Sequence, residues 1–280
     1  MPGTRARPAA FSTGPRWDEA ERLTERRDGH RYRRRVPADQ PTILATSGGY
    51  RPGERTRIEF DALVRHAVEL SGAHGRRPRL SFLGTALGDP RWFSYEVLEA
   101  GRLAGFDVTV LDLFPMPNLE DVPGHLLEQD VVWVNGGSVA NLLAVWDVHD
   151  LRPAMRAAWE GGVVLSGVSA GSICWYLGGT TDSFGPELRA VTNGLGLLPY
   201  GNGVHYDSEV GRRPLVHRLV GDGTLPETHC TDDGVGLVYH GPTLVEAVAE
   251  TDGAAAYVVT RTGDGTSEER LEPRRLPPVS

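Results

Sequence analysis

The sequence contains no lysine, so all 29 residues in its Lys+Arg count are arginines. This absence excludes a Schiff-base lysine, a Walker-type phosphate-binding lysine and a Ser–Lys catalytic dyad. Only two cysteines are present, Cys174 and Cys230, too few for a zinc cage or a disulfide framework. We therefore predict two free thiols in a reducing cytoplasm, with a single bridge between them as the alternative.

Long apolar stretches are missing as well. No run reaches the roughly 18 residues that a membrane-spanning helix needs, and no apolar segment follows the N-terminal arginines as it would in a secretory signal. The formal net charge of −8 does not suit a protein that binds nucleic acid through a broad basic face. We predict a cytoplasmic protein without membrane or nucleic-acid partners, and interpret the arginine-rich run 31–35 as a solvated tail.

The composition divides the chain into three parts. Residues 1–40 are rich in Arg, Pro and Glu and poor in aliphatic residues, which predicts a flexible or peripherally packed extension. Residues 41–262 carry the regular apolar patterns of a folded domain. Residues 263–280 are polar and rich in proline, which predicts a ragged C-terminal tail.

Apolar, β-branched runs alternate with helical patterns in the first half of the middle part. Strands are predicted over 42–46, 79–84, 106–113, 130–136 and 162–169, and helices over 57–71, 93–104, 139–145 and 151–159. This alternation predicts an α/β fold in which helices cover both faces of a mainly parallel sheet. After residue 196 the predicted strands become shorter, which indicates an antiparallel edge on the sheet.

A candidate nucleophile lies in the segment Gly167-Val168-Ser169-Ala170-Gly171, between a predicted strand and a helical pattern. This G-x-S-x-G arrangement is typical of a turn that lifts a nucleophilic serine above the edge of a sheet. Glycines are needed there because larger side chains would collide with neighbouring backbone. We predict Ser169 as the nucleophile, and the amide of Ala170, at the start of the next helix, as an oxyanion donor.

A second glycine turn, Gly136-Gly137, follows the preceding predicted strand and comes just before a helix. The backbone amide of Gly137 is the candidate for the other oxyanion donor. An ordinary βα loop of a doubly wound sheet would have the same residues, so this turn alone does not decide between the two interpretations.

A nucleophilic serine requires a base, and the base requires an orienting carboxylate. Among nine histidines the preferred base is His205, which follows a short apolar run after the serine. Asp232 and Asp233 lie in a strand–turn–strand pattern and are the preferred acids. The rivals are His229 and His240 for the base, and Asp182 and Asp207 for the acid.

These motifs occur together in an order that resembles one known family. The set comprises V-N-G-G-x-x-x-x-L-L at 134–143, G-V-S-A-G at 167–171, H-Y-D-S-E-x-x-x-R at 205–213 and D-D-G at 232–234. Over about residues 41–260 the chain resembles the serine peptidases that include dipeptidase E and cyanophycinase. Those proteins are similar to class I glutamine amidotransferase domains with serine in place of the nucleophilic cysteine.

The resemblance implies a three-layer, doubly wound fold of the flavodoxin-like or class I glutamine amidotransferase-like type. It also implies a triad of Ser169, His205 and Asp233, although family members often carry Glu where this chain has Asp233. The implied reaction is hydrolysis of small peptides through an acyl-enzyme, with neither a metal nor an organic cofactor. The oligomeric state stays open, with a homodimer as one option.

The resemblance also points to a class of substrate. Dipeptidase E cleaves N-terminal aspartyl residues from small peptides, and cyanophycinase cleaves aspartyl-arginine polymers. Both substrates carry an acidic acyl side, which favours recognition by an arginine. The substrate-binding candidates are Arg212 and Arg213, shortly after the base, and Arg51, in the loop after the first predicted strand.

Other classes of function remain open on the sequence alone. An α/β-hydrolase esterase would need a catalytic histidine late in the chain, for which His240 is the best candidate. A ligand-binding relative that has lost activity would have the same motifs. So would an acyl transferase in which an amine replaces water.

Overall fold

The structure, a computed structural model, describes residues 38–279. Most of the predicted N-terminal extension, including the arginine run 31–35, therefore lies outside the described residues. Within them the strands are β1 (Thr42–Thr46), β2 (Tyr50–Pro52), β3 (Ile58–Phe60), β4 (Arg79–Leu83), β5 (Asp107–Val110), β6 (Val131–Val134), β7 (Val164–Val168), β8 (Tyr176–Thr181), β9 (Arg189–Val191), β10 (Leu198–Gly203), β11 (Thr228–Thr231), β12 (Val235–His240), β13 (Thr243–Ala249), β14 (Ala256–Thr262), β15 (Gly265–Leu271) and β16 (Arg274–Arg275).

The helices of the same range are α1 (Ala62–Leu70), α2 (Arg91–Ala104), α3 (Val122–Leu127), α4 (Val139–Val148), α5 (Leu151–Glu160), α6 (Ala170–Ile173) and α7 (Arg212–Gly221), with one 3₁₀ turn at Thr85–Leu87. None of these helices combines the length and the apolar character that crossing a bilayer requires.

Eight strands form a central sheet in the order β16-β13-β12-β1-β7-β6-β4-β5. Strands β1, β7, β6, β4 and β5 run parallel to one another, so their carboxyl ends lie at one edge of the sheet. Strands β12 and β13 extend the sheet beyond β1 in antiparallel pairing. The predicted α/β fold, with a mainly parallel sheet and an antiparallel edge, is confirmed.

Helices cover both faces of the central sheet because its strands carry apolar side chains on both sides. In β6, Val131 and Trp133 pack into the core that contains α1 and α2, whereas Val132 and Val134 pack into the core that contains α4 and α5. All four side chains are fully buried. This alternation produces three layers around the sheet whose strand ends carry the candidate site.

Many of the later strands form a second sheet instead of extending the first. This six-stranded sheet has the order β15-β14-β11-β10-β8-β9. Helix α7 packs on it, with Val216 and Leu219 in the same apolar cluster as Cys230 of β11 and Val259 of β14. The sequence prediction assigned all the late strands to one edge, because short alternating runs do not indicate which of two sheets they join.

The prediction of a ragged tail over 263–280 is wrong for the described residues. Strand β15 pairs with β14 along its whole length, and β16 pairs with β13. Beyond β16, Leu276 is 3% exposed and belongs to the core cluster that contains α1. The tail was missed because β15 is an edge strand with polar residues on both faces, which lacks the apolar alternation that predicts a strand.

The helix predicted over 57–71 begins later, at Ala62, because Asp61 caps it. The Asp61 carboxylate accepts the backbone N–H groups of Leu63 and Val64, at 2.9 and 3.0 Å. The residues before the cap form β3, which pairs with β2 as a separate hairpin. The aspartate at this position is a preferred helix N-cap, a signal that the sequence prediction did not use.

Candidate active site

Ser169 lies on a strained turn directly after β7. Its backbone has φ 57° and ψ −111°, a combination that non-glycine residues rarely adopt and that is often found at functional sites. A Cβ atom added at Gly171 would lie 2.1 Å from the carbonyl oxygen of Val134, and one added at Gly167 would lie 2.5 Å from the same atom. Only glycine therefore fits on either side of the serine, as the G-x-S-x-G pattern predicts.

The helix after Ser169 is short. It comprises four residues, Ala170–Ile173, and the chain then enters β8. Cys174, a buried free thiol, is the C-cap of this helix. With so few aligned peptide groups, the helix dipole contributes little, and any oxyanion binding here depends on individual N–H groups.

Two backbone N–H groups beside Ser169 are unpaired. Across residues 38–279, neither the amide of Gly137 nor that of Ala170 donates a hydrogen bond. Gly136 lies close to the serine, since a Cβ atom added there would be 3.3 Å from the Cβ of Ser169. Gly137 has φ 132° and leaves no room for a side chain, because an added Cβ would be 2.4 Å from the carbonyl oxygen of Ala86. Both predicted oxyanion donors are thus free to bind a ligand.

His205 follows β10 and contacts the carboxylate of Asp233. The imidazole Nδ1 faces the Asp233 Oδ1 within hydrogen-bonding distance, and the backbone N–H of Asp233 donates to the carboxylate of Asp207 at 2.9 Å. A carboxylate at Nδ1 holds the proton on that nitrogen and leaves Nε2 as the acceptor. This contact therefore favours the tautomer that a general base requires.

The end of β1 brings the serine and the histidine to the same edge of the central sheet. The N–H of Ser169 donates to the carbonyl oxygen of Thr46 at 3.1 Å. The N–H of His205 donates to the Oγ of the next residue, Ser47, also at 3.1 Å. The carbonyl oxygen of Ser47 accepts the N–H of Gly234, beside the acid, at 2.9 Å. Ser47 was not among the predicted site residues, and its only signal in the sequence is its position after a predicted strand.

No hydrogen bond in the described structure joins the Ser169 hydroxyl directly to the His205 ring. Catalytic hydrogen bonds are often long in the free enzyme and shorten when substrate binds, so geometry without substrate does not exclude the pair. Both side chains are half-buried, which leaves them reachable from solvent.

The rival histidines lie elsewhere. His240 pairs with Thr42 at the amino end of β1, whereas Ser169 follows the carboxyl end of β7, which is parallel to β1. Four residue steps along β1 place His240 about 13 Å from that edge. His229 is 2% exposed, and its two ring nitrogens contact Tyr239 and Glu227. Neither ring is placed to act on Ser169. This argues against the α/β-hydrolase alternative, in which His240 would be the catalytic histidine.

Asp232 points away from His205. It is 5% exposed, and its Oδ2 accepts the N–H of Ala255 at 2.9 Å and the hydroxyl of Tyr257 at 3.3 Å. Burial raises the pKa of Asp232 above its ordinary value. Its contacts connect the turn to the neighbouring strand, so of the two adjacent aspartates only Asp233 contacts the imidazole.

Of the three predicted substrate-binding arginines, Arg212 is the one with no acidic partner among the residues that the structure describes. Its side chain is 4% exposed, and Nη1 donates to the carbonyl oxygen of Thr180 at 2.6 Å. Burial lowers its pKa, and the more distant carboxylates of Glu209, Asp182 and Asp233 act in the opposite direction. Arg212 forms no ion pair with any residue that the structure describes. A buried, unpaired guanidinium is a natural receptor for an anionic group.

Arg213 has structural partners. It forms an ion pair with Glu268 at 3.2 Å, and its guanidinium lies 4.7 Å and 4.6 Å from the ring centroids of Tyr206 and Tyr257.

Arg51 is also engaged by the protein. Its guanidinium pairs with Glu59 and donates to the carbonyl oxygen of Val279, both at 3.0 Å. Arg51 and Arg213 each form an ion pair with a carboxylate of the protein. Arg212 has no such partner among residues 38–279.

An acidic groove of about 580 Å³ runs beside the His205–Asp233 pair. Its carboxylates belong to Asp207, Asp232, Asp233, Glu250 and Asp252. In the part of the chain that the structure describes, no group of three or more His, Cys, Asp or Glu side chains is arranged to hold a metal ion. The groove therefore offers negative charge to a ligand without forming a metal centre.

The chain matches a known protein family over most of its length. The family model of peptidase family S51 matches residues 43–246, which include the serine, the histidine and the aspartate described above. An uncharacterized peptidase, YgaJ, from Bacillus subtilis (strain 168) is 35% identical over 217 residues, which cover 78% of this chain and 91% of the relative.

Solved structures share the fold at low sequence identity. A peptidase from an acI-B1 Actinobacterium superposes with a TM-score of 0.62 at 15% identity, over 86% of this chain and 97% of that one. A putative peptidase E protein from Listeria monocytogenes EGD-e gives 0.53 at 14% identity, over 76% and 100%. At these identities the likeness concerns the fold alone.

Proposed function

This chain belongs to peptidase family S51 and is a serine-type peptidase, and we propose that Ser169, His205 and Asp233 are its catalytic triad. The observation that carries the proposal is the contact of Asp233 with His205 at the strand edge that also holds Ser169. The strained serine backbone and the two unpaired amides of Gly137 and Ala170 support it.

The proposed reaction proceeds through an acyl-enzyme. The Oγ of Ser169 attacks the peptide carbonyl carbon while its proton passes to Nε2 of His205, and the amides of Gly137 and Ala170 bind the oxyanion. The C–N bond then breaks as Nε2 gives that proton to the leaving amine. Water, deprotonated by His205, attacks the ester and releases the acid and Ser169. Asp233 holds the ring and stabilises its charged form throughout.

For the substrate we propose a small peptide whose N-terminal residue is acidic, with aspartyl preferred. The buried guanidinium of Arg212 has no acidic partner among residues 38–279, which suits it to the side-chain carboxylate of the substrate. The acidic groove beside Asp233 suits the free ammonium group of a peptide N-terminus. The two charges together favour a short peptide with an unblocked acidic first residue.

A panel of dipeptides tests the proposal. We expect wild type to cleave Asp-X faster than Glu-X and Ala-X, to cleave N-acetyl-Asp-X slowly, and Ser169→Ala to cleave none. Arg212→Met should lower kcat/KM for Asp-X about 10²-fold and leave Ala-X nearly unchanged, because loss of a charge-assisted hydrogen bond costs about 1.5–3 kcal/mol. The matched control is Arg218→Met, on the exposed face of the same helix.

The two parts of the proposal fail in different ways. Equal rates on Asp-X and Ala-X in wild type would refute the acidic specificity and leave the triad standing. Turnover of any dipeptide by Ser169→Ala at the wild-type rate would refute the triad. Addition of a free amine separates hydrolysis from acyl transfer, because a transferase would convert the amine into a new amide.

A further inference from the structure

A buried amide side chain lies behind the candidate triad. Asn202, near the end of β10, is fully buried, and both ends of its side chain are hydrogen-bonded within the protein. Its Oδ1 accepts the hydroxyl of Ser172 at 3.0 Å, and its Nδ2 donates to the carbonyl oxygen of His229 at 3.0 Å. Ser172 is also fully buried. Neither Asn202 nor Ser172 is among the predicted site residues.

These hydrogen bonds join the three segments that carry the triad. Asn202 is on β10, whose end leads to His205, and His229 is on β11, whose end leads to Asp233. Ser172 is in α6, and its backbone N–H donates to the carbonyl oxygen of Ser169 at 2.9 Å. One side chain therefore connects the segment of the nucleophile with those of the base and the acid.

The helix that follows the serine is short. Helix α6 has only four residues, so Ser169 lacks the long following helix that would otherwise fix it. The pairing of β10 with β8, the strand that follows α6, shifts register between Leu198 and Gly201. Misplacement of a reacting group by about 1 Å can cost about a hundredfold in rate. A small shift of α6 relative to β10 and β11 would therefore slow the reaction. The hydrogen bonds of Asn202 oppose such a shift.

We propose that Asn202, through Ser172, is a positioning residue that sets the distance between Ser169 and the His205–Asp233 pair. The inference rests on the proposed triad. Asn202 acts on the rate of acylation through the placement of the serine, and takes no part in binding the substrate.

The test uses a fluorophosphonate probe, with kinact and KI measured separately for each variant and unfolding followed by circular dichroism. In Ser172→Ala and Asn202→Ala we expect kinact to fall about tenfold to a hundredfold with KI unchanged. The double variant should be no slower than Asn202→Ala, because both substitutions break the same link. The matched control is Ser81→Ala, since Ser81 is equally buried and hydrogen-bonded, to His125 on another strand–helix pair.

Each outcome decides between the proposals. A wild-type chain that is not labelled at Ser169 refutes the triad itself. Labelled wild type together with an unchanged kinact in Ser172→Ala refutes the positioning role and leaves the triad standing. If Asn202→Ala does not fold, Ser172→Ala, which removes a single oxygen atom, carries the test. An equal fall of kinact in Ser81→Ala would show a general effect of stability and would also overturn the proposal.

Discussion

Replacement of Asp233 by asparagine gives the sharpest test of how the base is oriented. The carboxylate of Asp233 is the group that contacts Nδ1 of His205. Asparagine has nearly the same shape, but its amide can turn an N–H toward the ring. That contact would place the imidazole proton on Nε2, where the general base must accept the proton of Ser169.

The structure sets the expected size of the effect. General acid–base catalysis by a positioned group contributes about 10²- to 10⁴-fold to the rate. About half of the Asp233 side chain is exposed, with 49% of its surface accessible, so water can partly replace its interaction with the ring. We therefore expect the lower part of that range for Asp233→Asn, a fall of kcat by about 10²- to 10³-fold, or about 2.7 to 4 kcal/mol at 1.36 kcal/mol per factor of ten.

Two neighbouring aspartates provide matched controls. In Asp232→Asn the amide oxygen can still accept the N–H of Ala255, and in Asp207→Asn it can still accept the N–H of Asp233. Both controls should keep kcat within about threefold of wild type, a difference of about 0.65 kcal/mol. The assay is steady-state cleavage of the best dipeptide of the panel. A kcat that falls in Asp232→Asn and stays intact in Asp233→Asn would refute the assignment of the acid.

Further predictions concern other parts of the fold. His240→Ala should keep wild-type turnover, since His240 lies at the opposite end of β1; loss of cleavage would contradict this. Gly171→Ala should lower the free energy of unfolding by about 3 kcal/mol in urea titrations, because its Cβ would lie 2.1 Å from the Val134 carbonyl oxygen; an unchanged midpoint would contradict it. Burial and the negative charge of Glu250 raise the pKa of Asp61 to about 8. Between about pH 4 and pH 8 the folded state keeps a proton on Asp61 that the unfolded state has released. The free energy of unfolding of wild type should therefore fall as the pH rises through this range. Asp61→Asn keeps the helix cap but has no carboxyl group to titrate. The free energy of unfolding of the variant minus that of wild type should therefore be larger at pH 9 than at pH 5 in urea titrations. Identical pH slopes for the two proteins would contradict it.

The turn that carries Ser169 could be predicted from the sequence because the constraints on its backbone are local. A strand followed by G-x-S-x-G leaves few other conformations, and the close approach of Gly171 to Val134 shows why glycine is required. The central sheet could be predicted for a similar reason, since apolar runs such as that of β6 have few alternatives to a buried parallel strand.

The residue pattern alone could not decide between neighbouring residues, although the family resemblance implied Asp233 as the acid. Asp232 and Asp233 are adjacent in the chain but have different partners, and only the pairing of β11 shows which one faces His205. Arg212 and Arg213 are adjacent on α7, where one turns inward and the other contacts Glu268. Sequence patterns identify such pairs, whereas the three-dimensional register decides between their members.

The second sheet and the role of Asn202 were missed for a different reason. Both depend on contacts between segments far apart in the chain, such as the bond of Ser172 to Asn202 and the pairing of β10 with β8 and β11. An isolated asparagine between glycines in a short polar strand indicates a turn as readily as a buried cross-link.

The most direct test of the central claim is to identify the residue that a fluorophosphonate modifies, by peptide mass mapping of wild type, Ser169→Ala and His205→Ala. We expect a single adduct on Ser169 in wild type, none in Ser169→Ala, and labelling slowed about 10²- to 10⁴-fold in His205→Ala. An adduct on another residue, or labelling of His205→Ala at the wild-type rate, would contradict a serine activated by this histidine.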